Sequence, residues 1–135
     1  ANVVGLLTDT LQPGVYNVDI DLITTAGASG GVKLALKWGT ASMITATALA
    51  VQANSAAAVA NTTFTTSTDA ASLLAGTAAY VNVKVKGTIT VALAGTIQLQ
   101  AAQNVSDATA TTVALGSTMS FTPIGATTPL AGALV

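Results

Sequence analysis

The sequence predicts an all-β protein, an antiparallel β-sandwich or jelly roll. Three observations carry that expectation. Apolar and polar residues alternate with period two at both ends of the chain, as in "VYNVDIDLI" (residues 15–23), "VKLALKW" (32–38) and "VNVKVKGTITV" (81–91). Gly and Pro punctuate the gaps between these runs, as turns require. No stretch has the 3.6-residue period of a long helix, and no repeat of fixed spacing suggests a solenoid. At 135 residues the chain is read as one sandwich domain, 1–135, with a core of its own and with 125–135 as an extended C-terminal tail.

The first clear strand follows a Pro-Gly turn in "LQPGVYNVDIDLI". Tyr16, Val18, Ile20 and Leu22 face one way, and Asn17, Asp19 and Asp21 the other. After the loop "TTAGASGG", "VKLALKW" turns Val32, Leu34, Leu36 and Trp38 inward and Lys33 and Lys37 outward. Pairing of these two strands as neighbours would bring the Asp and Lys faces together across a sheet.

Residues 39–78 leave alternatives open. "SMITATALAV" reads as a strand with Met43, Thr45, Thr47 and Leu49 on one face. The Ala-rich "ANSAAAVAN" suits a short helix as well as a strand, so residues 52–60 carry two readings. "TTFTTST" is a β-branched strand around Phe64, and "DAASLLAG" a helical turn with Asp69 as its cap.

From Ala79 onward the alternation sharpens. Val81, Val83, Val85, Ile89, Val91 and Leu93 occupy one face of a long strand, and Gly87 holds the phase while leaving room for a bend or a close backbone approach. "LAGT" turns the chain into "IQLQAAQ", with Ile97 and Leu99 inward and Gln98 and Gln100 outward. The loop "NVSDATA" then leads to "TTVALGSTMSFTPI", where Met119 and Phe121 carry the apolar face. The expected core is Tyr16, Ile20, Leu22, Leu34, Leu36, Trp38, Val83, Val85, Ile89, Val91, Leu99 and Phe121, on about eight strands of an antiparallel two-sheet fold.

Composition narrows function by exclusion. Only 7% of residues are charged, five Asp and four Lys, so no clustered basic face exists to displace counterions from nucleic acid. With no His, Cys or Glu, the usual metal ligands, general bases and disulfides are missing from the chain. In "NVDID", Asp19 and Asp21 read as a solvated strand face rather than a cation loop. Ser, Thr or Asp without a base partner makes no nucleophile, so no enzyme is expected; no catalytic, cofactor or metal residues are assigned.

The charge-free span from Trp38 to Thr68 is interrupted by Gln52, Asn54, Ser55 and Asn61 and lacks the ~20 strongly apolar residues of a membrane helix. "ANVVGLL" has no basic n-region, so it is not a secretory signal. Ala1 fits a chain whose initiator Met has been removed, and the expectation is a complete small gene product.

One resemblance emerges once the strands are placed. Residues 80–124 contain Gly87-Thr88-Ile89, the run Gly95-Thr96-Ile97-Gln98-Leu99-Gln100-Ala101-Ala102-Gln103-Asn104, a Ser/Thr/Ala loop, and Gly116-Ser117 before an apolar strand. Together with Leu11, Gly14 and Tyr16 upstream, this order resembles small β-domains of tailed-phage virion proteins. The resemblance implies a jelly roll like that of tumour necrosis factor and complement C1q. It also implies assembly as trimers on phage heads or at fibre tips, and it supplies no catalytic motif. The Ala-rich middle departs from it.

The functional expectation is therefore a structural virion protein that decorates or cements the outside of a tailed-phage capsid. Such a protein would be made in the host cytoplasm and contact the major capsid protein. It would be a homo-oligomer, with a trimer favoured, and would use no cofactor, nucleic acid or membrane. The alternative is a tail-fibre-tip or adhesin-type receptor-binding domain, though no heptads or collagen-like repeats lie ahead of the strands. A pilin-like or Thr-rich ice-binding module is a further class, against which the 23 Thr stand without a fixed period. The Ala/Thr middle and the tail "ATTPLAGALV" are the sequence's candidates for intersubunit or capsid contacts.

Overall fold

The computed structural model describes residues 2–25, 31–55, 59–64, 70–74, 80–103 and 106–125. They form ten strands: β1 (Asn2–Leu7), β2 (Gly14–Thr25), β3 (Lys33–Trp38), β4 (Ile44–Ser55), β5 (Val59–Phe64), β6 (Ala70–Leu74), β7 (Tyr80–Val91), β8 (Ile97–Ala102), β9 (Thr112–Val113) and β10 (Thr118–Gly125). A single 3-10 turn, Ala41–Met43, precedes β4, and no α-helix occurs among the described residues.

Two antiparallel sheets result. The smaller has the order β1-β8-β3-β6, and the larger β10-β2-β7-β4-β5 with β9 also on β2. Their inward rows meet in one hydrophobic cluster. The larger sheet contributes Tyr16, Val18, Ile20 and Leu22 from β2, Val83, Val85, Ile89 and Val91 from β7, and Ile44, Leu49, Val51 and Ala53 from β4. The smaller contributes Leu34, Leu36 and Trp38 from β3 with Ile97 and Leu99 from β8. Eleven of the twelve expected core residues are buried; Phe121 is half-buried at the margin, packed against the cluster.

The regular alternation of β2 has a direct structural consequence. Its even-numbered residues from Gly14 to Thr24 are all buried, and it pairs with β7 without a break from Gly14↔Val91 to Ile23↔Asn82. Tyr16 reaches the end of this layer and donates its hydroxyl proton to the Gln12 carbonyl oxygen at 2.7 Å, so the phenol is buried with a partner.

Gly87 explains how so long a strand fits. It lies opposite Val18 on one side and Leu49 on the other, with φ +149°. A Cβ there would stand 1.9 Å from the Ala48 carbonyl oxygen, so the close backbone approach expected from sequence occurs at this residue.

Three expectations need correction, and one open reading is decided in part. The Asp face of β2 meets Lys84 and Lys86 of β7, whereas Lys33 and Lys37 lie on β3 in the other sheet. "DAASLLAG" contributes no helical turn at residues 70–74, which form β6 against β3; Asp69 lies outside the described residues. The described parts of 52–60 are strand, with residues 56–58 outside the description. Leu93 is 50% exposed because β7 ends at Val91 and Ala92 and Leu93 turn their N–H groups to the Met43 carbonyl.

A register shift at the start of β4 alters one further face. Ile44 pairs with Val91 but Ala46 with Thr90, so Thr45 is an extra residue on the β4 side. Ile44 is thereby buried and Thr45 exposed, and the expected single face of Met43, Thr45, Thr47 and Leu49 is divided.

Candidate functional site

Among the described residues, the few ionic side chains are dispersed over two outer faces and two loops. On the larger sheet, Asp21 opposes Lys84 and Asp19 opposes Lys86, with nitrogen–oxygen distances of 3.3 and 3.8 Å. These side chains are roughly half-exposed, although one oxygen of each carboxylate, Oδ1, is covered. The face is a zwitterionic ladder, and such exposed pairs contribute about 0.2–1 kcal/mol each. On the smaller sheet, Lys33 and Lys37 project outward from β3 and form no ion pair among the described residues.

Asp107 serves a local turn. Its Oδ1 accepts the Thr109 N–H at 2.8 Å, while the Gln103 side chain donates to the carbonyls of Asp107 and Thr109. Asp19 and Asp21 share a face, as the sequence indicates, with a Lys opposite each. No group of three or more His, Cys, Asp or Glu occurs among the described residues. Thr25 and Thr112 hydrogen-bond to each other through their hydroxyls across β2 and β9, a contact that closes the strand end.

The edge of the larger sheet has a different character. β9 and β10 both pair with β2, but the segment Ala114–Ser117 between them bulges away at Ile23. Four hydrogen bonds close this bulge, one of them from the Ser117 N–H to the Ala114 carbonyl at 3.3 Å. Ala114 N–H donates to the Ile23 carbonyl at 2.8 Å, the Ile23 N–H donates to Ser117 Oγ at 2.9 Å, and Ser117 Oγ donates to the Ala114 carbonyl at 2.8 Å. The Ser117 hydroxyl thus stands in for a missing ladder partner. Gly116, at φ +92°, makes the reversal that a residue with a Cβ would resist.

The tip of this built turn is Leu115, 99% exposed. Ile23, 44% exposed, lies at its base, and Ile124 on β10 is 56% exposed farther along the same edge. A lone exposed Leu is unremarkable on any protein. A Leu raised on a hydrogen-bonded turn beside a second exposed apolar residue makes a small apolar projection on this edge. By alternation, "TTVALGSTMSFTPI" reads as one run leading to Met119 and Phe121, without this feature. The signal was present in Leu-Gly-Ser, a turn tripeptide inside an alternating pattern.

No protein-family model, no curated protein and no solved structure matches the chain.

Proposed function

We propose that the protein is a jelly-roll sandwich that works by assembly, as a structural virion protein decorating or cementing the outside of a tailed-phage capsid. The topology supports the fold half of that reading. Strands 1 and 8, 2 and 7, 3 and 6, and 4 and 5 are paired, so each couple sums to nine. That is the pairing of one long antiparallel ribbon rolled over on itself, with 1-8-3-6 and 2-7-4-5 as its two layers. β9 and β10 are an addition beyond strand 2.

The observation that carries the functional half is Leu115 on its braced turn. A chain with few charges invests four hydrogen bonds in holding an apolar side chain in solvent. Contact with another protein surface is the use that fits. The 28 Ala and 23 Thr support close packing of copies, because short side chains leave sheet faces low and approachable. A homo-oligomer, a trimer by the resemblance, would then have the major capsid protein as its partner.

Imaging of assembled particles tests the location. Density for this chain on the capsid exterior is the expected result, and its presence only at a tail tip would transfer the case to receptor binding. Native mass spectrometry tests the assembly: a trimer is expected, and a monomer at micromolar concentration would refute self-association.

A further inference from the structure

Strands β9 and β10 follow β2 in registers that differ by two residues. Four residues separate Val113, opposite Thr24, from Thr118, opposite Asp21, whereas only Leu22 and Ile23 separate their partners. A shift of two keeps what a shift of one destroys, because side-chain direction and the alternation of hydrogen-bonding positions both repeat every second residue. Ile23 marks the second of these alternations: its carbonyl accepts from Ala114 and its N–H donates to Ser117 Oγ, so it turns its backbone groups to this edge. The first is visible in burial. Val113, Ser117, Met119 and Phe121 are half-buried, while Leu115, of the same parity, stands in solvent. Leu115 thus has the parity of an inward residue and the exposure of an outward one.

We propose that this edge is a two-register switch, in which β9 slips by two residues along β2, the turn at Ala114–Ser117 is drawn into one continuous strand, and Leu115 becomes buried. Thr112 and Val113 give up their pairing. Ala114, Leu115, Gly116 and Ser117 then lie opposite Thr25, Thr24, Ile23 and Leu22, which extends the register of β10 without a break. β9 is the strand that moves, because it has two residues in the ladder while β10 holds one register from Thr118 to Pro123. Leu115 takes the place of Val113, opposite buried Thr24 and against the core. The exchange adds one methylene, and the Ile23 N–H trades the Ser117 hydroxyl for the Gly116 carbonyl.

Opposed terms hold the two registers close together. Burial of Leu115 favours the flush register. The hydrogen bonds of the turn, the φ of +92° at Gly116 and the low strand preference of Gly favour the raised one. So do the Thr25–Thr112 hydroxyl contact and the 3.0 Å bond from the Thr111 hydroxyl to the Gly31 carbonyl, which the slip releases. A partner that takes Leu115 binds the raised register and draws the population toward it. That use rests on the reading of Leu115 as a contact; the two registers do not.

Gly116→Val separates the registers, because Val resists φ +92° and prefers a strand. In a non-hydrogen-bonded antiparallel pair the α-protons face each other, so a nuclear Overhauser contact reports the register. The parent should show Thr24–Val113, and the variant should show Thr24–Leu115 in its place. A folded variant, with Trp38 still buried by its fluorescence, that keeps Thr24–Val113 or shows neither contact overturns the proposal. Should Gly116→Val unfold, disulfide trapping in the otherwise unmodified chain decides. Raised Leu115 lies ~7 Å along the strand from the place opposite Thr24, and the strands are a further ~4.5 Å apart, which is beyond the reach of a disulfide. A folded Thr24→Cys/Leu115→Cys chain that bridges within itself supports the slip, and its failure to bridge refutes it, with Thr24→Cys/Val113→Cys as the control. Native mass spectrometry keeps this inference apart from the contact reading: a flush Gly116→Val variant that associates as the parent does leaves the switch standing and removes Leu115 as the contact.

Discussion

The β2–β7 ladder and the β9–β10 edge share strand β2 but differ in kind. The first pairs ten residues on each strand with no bulge, alternates buried and exposed positions, and turns its charges outward in opposed couples. The second breaks after two pairs, raises Leu115 into solvent and resumes at Thr118. Both conform to the same backbone rules. The difference teaches that regularity here serves burial, whereas an interruption braced by a side chain leaves an apolar side chain in solvent.

The buried layers should be the more fragile side of the comparison. Trp38→Ala, in the core at 2% exposure, should cost about 3–5 kcal/mol in urea unfolding. Trp38 Nε1 is buried with no hydrogen-bond partner among the described residues, so Trp38→Phe should cost much less, because it removes an uncompensated polar group along with some volume. A Trp38→Ala melt equal to that of Lys33→Ala would mean that the inward face of β3 is misassigned.

Gly87→Ala should break the ladder itself. The added Cβ would enter the Ala48 carbonyl of β4 at 1.9 Å, at a φ that side chains disfavour. Backbone strain and overpacking together suggest a loss of about 2–4 kcal/mol. Amide exchange should rise along both β4 and β7, and a variant as stable as the parent would show that β4 is not held against Gly87.

Much of the interior was legible because burial imprints a period on the sequence. The face Tyr16, Val18, Ile20 and Leu22, the face Val83, Val85, Ile89 and Val91, and the special role of Gly87 follow from alternation alone. Partner choice was harder, since pairing is decided by the whole topology. Even so, a signal existed: Asp19 and Asp21 are two residues apart, as are Lys84 and Lys86, whereas Lys33 and Lys37 are four apart and cannot oppose both acids at once. β6 departs from the expected helical turn because the good helix propensity of "DAASLLAG" is a weak preference that pairing with β3 overrides. The extra residue Thr45 shifts phase with no Gly or Pro to announce it. Leu115 is not legible in the alternation, because exposure of an apolar residue leaves no mark on hydrophobic periodicity. The expected contacts of the tail "ATTPLAGALV" concern residues 126–135, which lie outside the described set.

At the edge, stability and association should separate. Ser117→Ala removes both the acceptor for the Ile23 N–H and the donor to the Ala114 carbonyl, and should cost about 1 kcal/mol because the site is partly exposed. Leu115→Lys should change stability by less than about 0.5 kcal/mol while abolishing association in native mass spectrometry or particle binding. If Leu115→Lys assembles as well as the parent, the turn is not the contact. If it unfolds, the side chain is less exposed in solution than described.

The smallest effect concerns the charges, and it asks whether the outward ladder on β2–β7 contributes anything beyond solubility. Lys84 approaches Asp21 to 3.3 Å and Lys86 approaches Asp19 to 3.8 Å, while Lys33 faces no acid among the described residues. A double-mutant cycle on Lys84 and Asp21 should therefore give a coupling of about 0.2–1 kcal/mol, with a smaller value for Lys86 and Asp19. Both couplings should shrink as salt is raised, because each side chain is roughly half-exposed and screened. Lys33→Ala should change stability by less than about 0.5 kcal/mol and show no salt dependence of its own. The ranking matters more than the magnitudes. Two couples spaced alike on neighbouring strands are satisfied in one register, and a slip by one residue would turn the whole apolar row of β2 to solvent. Burial already forbids that slip. Couplings of zero in both cycles would show that burial alone fixes the register, leaving the acids and lysines of this face to keep it wet.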